Sequence, residues 1–325
     1  MLKLPCTLTS ISSLLSQHAR CALAGRLACA PLVCQANTAV PQSIEPADFG
    51  RGLRARSIGP AGMSGRVAAV VADERNRDTI YVGAASGGLW RTTNAGMTWT
   101  PLFDKEARAS IGAIALDPRH PGRIWVGTGE GNPRNSAASG NGVYRSDDAG
   151  KTWRHMGLTE SERIHRIVVD PHDSDTVHFA VLGKTWGPSS ERGVYKTSDG
   201  GRSFRRVLYV DDTSGCADLV QDPRNSKPLL AALWSHRRRP YDFTSGGPGS
   251  GLWRSHDGGE TWTRVEKKDG LPDGELGRIG LAIAASDPRR VYALVEAKKN
   301  VLLRSDDGGH SFPEVNKEDD LSPRP

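Results

Sequence analysis

The stretch SHDGGETW, residues 255–262, decides the fold of this chain because its pattern occurs five times. Each copy reads Ser or Thr, any residue, Asp or Asn, any residue, Gly, any residue, Thr or Ser, and an aromatic residue. The other copies are TTNAGMTW, SDDAGKTW, TSDGGRSF and SDDGGHSF, which begin at residues 92, 146, 197 and 305. Successive aromatic residues lie 50 to 58 positions apart. This period is typical of propeller blades, solenoid turns and other repeat arrays.

A similar unit surrounds each copy. An aliphatic run ending in Asp-Pro lies upstream of four copies, as in IHRIVVDP from residue 164, and a short run such as GVYKT from residue 193 leads into the motif. Such runs bounded by turn residues indicate strands. We therefore predict an all-β fold, a β-propeller of four-stranded antiparallel blades. About five blades are present, as part of a larger seven- or ten-bladed ring, and a closed five-bladed ring is the alternative.

Turn structure explains the residue types of the motif. The Asp carboxylates should accept hydrogen bonds from backbone N–H groups of the turn, the glycines should adopt positive φ, and the aromatic rings should be buried between blades. One carboxylate per turn is too few ligands for calcium. The positions with this structural role are Asn94, Gly96, Trp99, Asp148, Gly150, Trp153, Asp199, Gly201, Phe204, Asp257, Gly259, Trp262, Asp307, Gly309 and Phe312.

These motifs resemble the Asp box of BNR-repeat proteins. Longer stretches are similar to one branch of them, large secreted bacterial proteins of the sortilin-like, "glycosyl hydrolase BNR repeat" kind. The similar stretches include YVGAASGGLWRT from residue 81 and IWVGTGEGNPRNS from residue 124. The resemblance covers residues 51–315 and implies a propeller fold and export. It implies no single activity, since Asp-box propellers include sialidases, xyloglucanases, sorting receptors and assembly factors.

The start of the chain differs in composition from the rest. Residues 1–44 contain no Asp or Glu, three basic residues and four of the five cysteines. This composition is typical of targeting segments. We expect a targeting or disordered segment over residues 1–44, the propeller over residues 45–316, and a disordered tail or truncation point over residues 317–325. A signal peptide and an organellar transit peptide both fit, and the resemblance favours a secreted or periplasmic protein.

Charge and motif content exclude several classes. The formal charge of +6 is too small and too dispersed for a nucleic-acid-binding protein. No run approaches the ~18 apolar residues of a membrane helix, and the spacing of histidines and cysteines matches no zinc motif. We expect no cofactor, no metal, no nucleic-acid partner and no transmembrane segment. The partners expected are a peptide or glycan ligand and the remaining propeller blades.

Strand parity predicts where a ligand would bind. In a four-stranded meander the Asp-Pro turns and the Asp boxes share one face, and the long insertions, residues 127–141, 183–192 and 235–250, lie on the opposite face. Loops on a rigid scaffold often carry binding residues. Arginines beside aromatic rings can hold a carboxylate or stack on a sugar, although the same residues could simply form a solvated rim. The candidate ligand-binding residues are Glu130, Arg134, Lys184, Trp186, Arg237, Arg238, Arg239 and Tyr241.

These residues bear on three classes of function. A sialidase should carry Phe/Tyr-Arg-Ile-Pro before its first blade, where this chain has RSIGP from residue 56. A xyloglucanase-like enzyme needs paired carboxylates, and the resemblance places a catalytic Asp where this chain has Ala85. We therefore predict a noncatalytic sortilin-like scaffold that binds peptide or glycan on the face opposite the Asp boxes, with no catalytic residue. A divergent glycoside hydrolase, with Glu130 as the titratable candidate, is the alternative.

Overall fold

The computed structural model describes residues 65–318 and residue 321. The segment predicted over residues 1–44 and most of the tail predicted over residues 317–325 lie outside the described residues. The described part is built from antiparallel sheets, with short 3-10 helices at Thr159–Ser161 and Lys267–Asp269. Within it, no helix has the length and apolar character needed to cross a membrane.

Five sheets follow one another along the chain, and each is a blade. Their strands pair in meander order, and the fourth sheet has one additional strand. This arrangement confirms the predicted all-β propeller of four-stranded blades. Blade 1 contains β1 (Val67–Asp73), β2 (Asn76–Ala84), β3 (Leu89–Thr92) and β4 (Thr100–Pro101); blade 2 contains β5 (Ile111–Leu116), β6 (Ile124–Thr128), β7 (Val143–Ser146) and β8 (Arg154–Gly157); blade 3 contains β9 (Ile164–Val169), β10 (Val177–Val181), β11 (Gly193–Thr197) and β12 (Arg205–Leu208); blade 4 contains β13 (Ser214–Gln221), β14 (Leu229–Arg239), β15 (Asp242–Ser245), β16 (Gly251–Ser255) and β17 (Thr263–Arg264); blade 5 contains β18 (Ile279–Ile283), β19 (Val291–Val295), β20 (Val301–Ser305) and β21 (Glu314–Asn316).

Small residues on the second strand of a blade let the next blade approach closely. A Cβ atom on Gly127 in β6 would lie only 2.5 Å from Cγ2 of Ile164, the first residue of β9. The register places four small residues at this position, in blades 1 to 4: Gly83, Gly127, Ala180 and Ala232. The first-strand residues that correspond to Ile164 at the four junctions are completely buried: Ile111, Ile164, Cys216 and Ile279. Val67 takes this position in β1 and is 53% exposed.

A basic side chain adds a second link between neighbouring blades. It stands one residue before the first residue of each Asp box and donates to a backbone carbonyl in the Asp box of the next blade. The hydrogen bonds at the four junctions, of 2.5 to 2.9 Å, join Arg91 to Ala149, Arg145 to Gly200, Lys196 to Gly258, and Arg254 to His310. The corresponding Arg304 of blade 5 pairs with Asp306. Sequence reasoning missed this position although all five copies carry it.

The Asp boxes have the predicted turn structure. In blade 2, Asp148 accepts hydrogen bonds from the backbone N–H and the hydroxyl of Thr152, and Gly150 has a φ of +85°. These bonds lower the pKa of Asp148 to about 2. The backbone N–H of Ala149 donates to the carbonyl of Gly122, next to the Asp-Pro turn of the same blade. The Asp boxes and the Asp-Pro turns therefore share a face, as predicted.

Burial of the box aromatics is less complete than predicted. Phe312 is fully buried, whereas the aromatic residues of the other four boxes are half-buried. Trp153 shows the packing between blades: its indole N–H donates to the carbonyl of Leu102, and its ring packs edge-on against Phe103 at a centroid distance of 5.1 Å. Both partners precede blade 2, so the ring bridges two blades.

One predicted loop is instead a β-hairpin. The sequence predicts a long insertion loop over residues 235–250; in the structure β14 continues into it to Arg239 and pairs with β15. The pairs include Arg237 with Thr244 and Arg239 with Asp242. The backbone of this segment is therefore satisfied by its own cross-strand hydrogen bonds, which makes it a rigid extension of blade 4.

Candidate functional site

The face opposite the Asp boxes, called here the loop face, carries three adjoining segments. They are the blade 3 loop (residues 182–192), the link from blade 3 to blade 4 (residues 209–213), and the blade 4 hairpin (residues 236–245). The backbone N–H of Arg238 donates to the carbonyl of Thr185 at 2.9 Å, and the N–H of Ser189 donates to the carbonyl of Asp212 at 2.8 Å. The blade 3 loop is thus bonded to both other segments.

Buried Arg192 fixes the shape of the blade 3 loop. Its guanidinium donates to the carbonyls of Lys184 at 2.5 Å and Gly187 at 3.3 Å, and it lies 3.3 Å from Nδ1 of His236 in the hairpin. Burial lowers the pKa of Arg192 to about 10 and the pKa of His236 to about 3. The imidazole of His236 is therefore neutral, and its Nδ1 can accept a hydrogen bond from the guanidinium of Arg192. Hydrogen bonds donated by Arg192 thus hold the blade 3 loop in place.

Three aromatic side chains stand exposed on these segments, one on each. Tyr241 of the hairpin is 85% exposed, and Trp186 and Tyr209 are each 42% exposed. In the described part of the chain, every exposed Trp or Tyr side chain belongs to this group. The guanidinium of Arg206 lies 4.0 Å from the ring centre of Tyr209, which covers one face of that ring. We call Trp186, Tyr209 and Tyr241 the aromatic platform.

Arg278 joins blades that are not neighbours. It precedes β18 in blade 5, and its guanidinium donates to Oδ1 of Asn132 at 2.9 Å and to Nε2 of His165 at 2.7 Å. It also lies over the ring of Trp234, 5.3 Å from its centre. Burial, with a further contribution from the charge of Arg278, lowers the pKa of His165 to about 3. The loop of blade 2 is thereby tied to blade 5 across the loop face.

The structure separates several of the predicted site residues. Glu130 is completely buried, and its carboxylate accepts two hydrogen bonds, of 2.5 and 2.6 Å, from Arg66. It therefore forms a structural ion pair between blades 2 and 1. Because side chains alternate along a strand, the three adjacent arginines of β14 do not form one cluster. Arg238 donates to Oδ1 of Asn135 at 2.6 Å, and Arg239 pairs with Asp242 at 2.7 Å.

The remaining predicted residues stay on the surface. Arg134, Lys184 and Arg237 are exposed, and Trp186 and Tyr241 belong to the aromatic platform. Sequence reasoning missed Tyr209, although parity places every link between blades on the same face as the insertions. Ala85, where the resemblance implies a catalytic Asp, is buried beyond the end of β2, and its N–H donates to the carbonyl of Arg66.

A groove lies on the other face, between blades 4 and 5. It has a volume of about 430 Å³ and is lined by apolar residues such as Leu230 and by charged or titratable residues such as Arg254. The imidazoles of His256 and His310 stack at its edge, 4.8 Å apart. The residue of blade 2 that corresponds to Leu230 is the much larger Trp125. The groove therefore lies where the side chain at this position is smaller. It is remote from the aromatic platform.

Comparison with known proteins identifies the repeat and several similar proteins. The BNR/Asp-box repeat model matches residues 253–264. A xyloglucanase of Paenibacillus is 28% identical over 247 residues, which is 67% of this chain and 22% of that protein. An oligoxyloglucan-reducing end-specific xyloglucanase of Emericella nidulans is 34% identical over 219 residues, 62% of this chain and 24% of that protein. The chain thus spans about a quarter of the length of these relatives.

A solved structure supports the fold. The GH74 enzyme of Niastella koreensis superimposes with a TM-score of 0.56 at 20% identity, covering 76% of this chain and 38% of that one. With five Asp boxes on five blades, the chain is a BNR-repeat β-propeller. The relatives overturn the prediction of a noncatalytic scaffold, which is wrong: they are glycoside hydrolases, and they support the alternative. The sortilin-like part of the resemblance stays a prediction.

Proposed function

We propose that this chain supplies substrate-binding blades of a glycoside hydrolase that acts on a β-glucan of the xyloglucan type. The aromatic platform carries this proposal, because exposed rings on rigid segments present apolar faces on which the C–H faces of pyranose rings can pack. Trp186, Tyr209 and Tyr241 lie on segments bonded to one another. Their spread over two blades suits an extended polymer, and the xyloglucanase relatives support that choice of substrate.

Hydrolysis of a glycosidic bond needs carboxyl groups on both sides of the bond. Ala85 cannot supply one, and Glu130 is buried in its ion pair with Arg66. On the segments that bear the platform, Asp242 is paired with Arg239. Glu191 accepts a hydrogen bond from the hydroxyl of Tyr195, and Asp211 accepts hydrogen bonds from the N–H and hydroxyl of Thr213. Asp212 is exposed and carries no ion pair within the described residues, and its backbone carbonyl accepts a hydrogen bond from the N–H of Ser189. We propose the Asp212 carboxyl as one of the groups that act on the bound chain.

The test uses the full chain with soluble xyloglucan. Binding is measured by affinity electrophoresis, and hydrolysis by the release of new reducing ends. We expect binding and turnover by the wild type, binding about 25-fold weaker in a Trp186→Ala, Tyr241→Ala double variant, and loss of turnover alone in Asp212→Asn. Met97→Ala is the matched control, because Met97 is 86% exposed but lies in an Asp box on the opposite face. A wild-type chain that neither binds nor cleaves the polymer would refute the proposal.

A polymeric glucan is met outside the cell, so we also propose that the protein is secreted or periplasmic, with residues 1–44 as the targeting segment. Xyloglucanase relatives support this location. Expression in the native host, followed by fractionation and N-terminal sequencing, tests it. Recovery of the protein in the cytoplasm with residues 1–44 intact would contradict it.

A further inference from the structure

We infer that this chain associates head to tail with a second copy of itself, with blade 5 of one copy docked against blade 1 of the other. The inference goes beyond the proposed function and does not depend on the glycan. It rests on two sheet faces that carry the contact residues of the internal junctions without a blade to contact. The blade 5 end face is formed by Gly280, Arg290, Leu294 and Arg304, and the blade 1 end face by Val67, Val70, Asp78 and Ala95.

Arg304 has a hydrogen-bond donor that its counterpart in blade 2 uses to reach the next blade. That counterpart, Arg145, bonds Asp147 through Nε and Nη2 and donates from Nη1 to the carbonyl of Gly200 in blade 3. Arg304 bonds Asp306 through the same two nitrogens, Nε and Nη2. Its Nη1 has no partner within the part of the chain that the structure describes.

Arg290 shows the same pattern at the Asp-Pro turn of blade 5. Arg123 directly precedes the second strand of blade 2, as Arg290 does in blade 5. Arg123 bonds Asp147 through Nε and donates from Nη1 to the carboxylate of Asp175 in blade 3, both at 3.1 Å. Arg290 bonds Asp306 through Nε at 2.9 Å, and its other two nitrogens have no partner among the described residues. The blade 5 end face thus presents two guanidinium groups with unused donors.

The blade 1 end face presents the matching acceptors. Asp78 corresponds to Asp175, because each stands two residues before the strand residue that pairs with the first residue of the Asp box. Ala95 corresponds to Gly200, and their N–H groups donate to the carbonyls of Asp78 and Asp175, each at 3.0 Å. The Asp78 side chain is exposed and, over residues 65–318, makes no ion pair. Blade 1 therefore carries the acceptors that the two arginines of blade 2 use on blade 3.

The apolar residues of both end faces are exposed where their counterparts pack between blades. Val67 and Val70 stand at the two positions of a first strand that pack against the preceding blade, and they are 53% and 64% exposed. On blade 5, Leu294 stands at the position of Gly127 and is 44% exposed. Leu294 is larger than the glycine or alanine of the other blades, but Val67 is smaller than the isoleucine found at three of the four junctions, and Gly280 beside it leaves open space.

Charge and shape favour a second copy as the occupant of these faces. One end face is basic and the other carries an unpaired carboxylate, so the two faces attract each other, and charge-assisted hydrogen bonds from Arg290 to Asp78 can form at their contact. No hydrogen bond or ion pair joins blade 5 to blade 1 of the same chain in the region that the structure describes. The contact joins two unlike faces, so it is heterologous, and each copy can use both of its end faces.

Analytical ultracentrifugation of the full chain tests the association. The mean mass of the wild type should rise with concentration in the micromolar range, at the weak end of what specific interfaces reach. Val70→Glu and Leu294→Glu should each stay monomeric, because each variant has lost one end face. An equimolar mixture of the two should form a heterodimer and nothing larger, since one intact face of each kind remains. Tyr241→Glu, which adds the same charge at an exposed residue of the loop face, is the control and should associate as the wild type does.

Charge reversal tests the predicted pair directly. Arg290→Asp and Asp78→Arg should each weaken the association, and the chain that carries both changes should associate about tenfold more tightly than either single variant. Thermal melting verifies that every variant is folded. A wild type that stays monomeric, a mixture of Val70→Glu and Leu294→Glu that stays monomeric, or single variants that associate as the wild type does would each overturn the inference. The glycan-binding proposal would stand in all three cases.

Discussion

Replacement of Tyr241 by Ala is the most direct test of the aromatic platform, because this ring is 85% exposed at the tip of the blade 4 hairpin. An aromatic side chain offers about 150–250 Å² of surface. A pyranose ring that packs on one face of Tyr241 would cover roughly 85 Å² of it, which stabilises the complex by about 2 kcal/mol at ~25 cal/mol per Å².

Ordering of the side chain offsets part of this gain, at about 0.5–1.5 kcal/mol for each immobilised group. The net contribution is then about 1 kcal/mol, so Tyr241→Ala should weaken binding of a xyloglucan oligosaccharide about fivefold. Trp186→Ala should have a comparable effect. Tyr209→Ala should have a smaller effect, because the guanidinium of Arg206 already occupies one face of that ring.

Isothermal titration calorimetry at constant salt measures these affinities. Tyr241→Phe is the matched control, since it keeps the ring and removes only the hydroxyl, and it should bind like the wild type. Thermal melting should show that Tyr241→Ala changes the free energy of unfolding by less than about 0.5 kcal/mol, as expected of an exposed position. Unchanged affinity in all three alanine variants would refute the role of the platform.

Further predictions concern the blades and their buried charges. Gly127→Ala should destabilise the fold by about 1–3 kcal/mol, because the added Cβ would overpack against Ile164. Gly280→Ala is the control and should not destabilise the fold, because the space around its Cβ is open. Equal melting temperatures for the two variants would contradict the close packing of blades at Gly127. Glu130→Gln should lower the melting temperature and leave polysaccharide turnover intact, because the buried Glu130 carboxylate forms an ion pair with the partly exposed Arg66. Selective loss of turnover would instead make Glu130 catalytic. Stability should fall as the pH drops from about 6.5 towards 4, because burial lowers the pKa of His178 to about 4 and the unfolded chain therefore binds a proton that the folded chain does not. The lowered pKa values of His165 and His236 act in the same direction. The melting temperature of His178→Gln should depend less on pH over this range.

The blades could be predicted from the sequence because the Asp box is local: its aspartate, glycine and hydroxyl residues bond within eight positions. The order of the strands in a meander then assigned each turn to one of the two faces without knowledge of the packing. The ion pair of Glu130 could not be found this way, because Arg66 lies 64 residues upstream. The hairpin was missed because its turn, RPYD from residue 239, follows the basic run HRRR and does not stand between two obvious apolar strands.

The functional prediction failed for a different reason. It gave too much importance to one absent carboxylate, at Ala85, and no importance to the links between blades. Tyr209 lies in such a link and completes the aromatic platform. Adjacent side chains in a strand point to opposite sides, so Arg238 and Arg239 contact different partners.

The contacts of Arg278 affect how the blades unfold. In arrays where each repeat touches only its neighbours, unfolding can begin at one end and proceed unit by unit. Here the guanidinium of Arg278 holds blade 5 to Asn132, His165 and Trp234, in blades 2, 3 and 4. Detachment of blade 5 must therefore break contacts with three other blades at once. Loss of structure in blades 2 to 5 should accordingly be a single cooperative transition rather than progressive fraying.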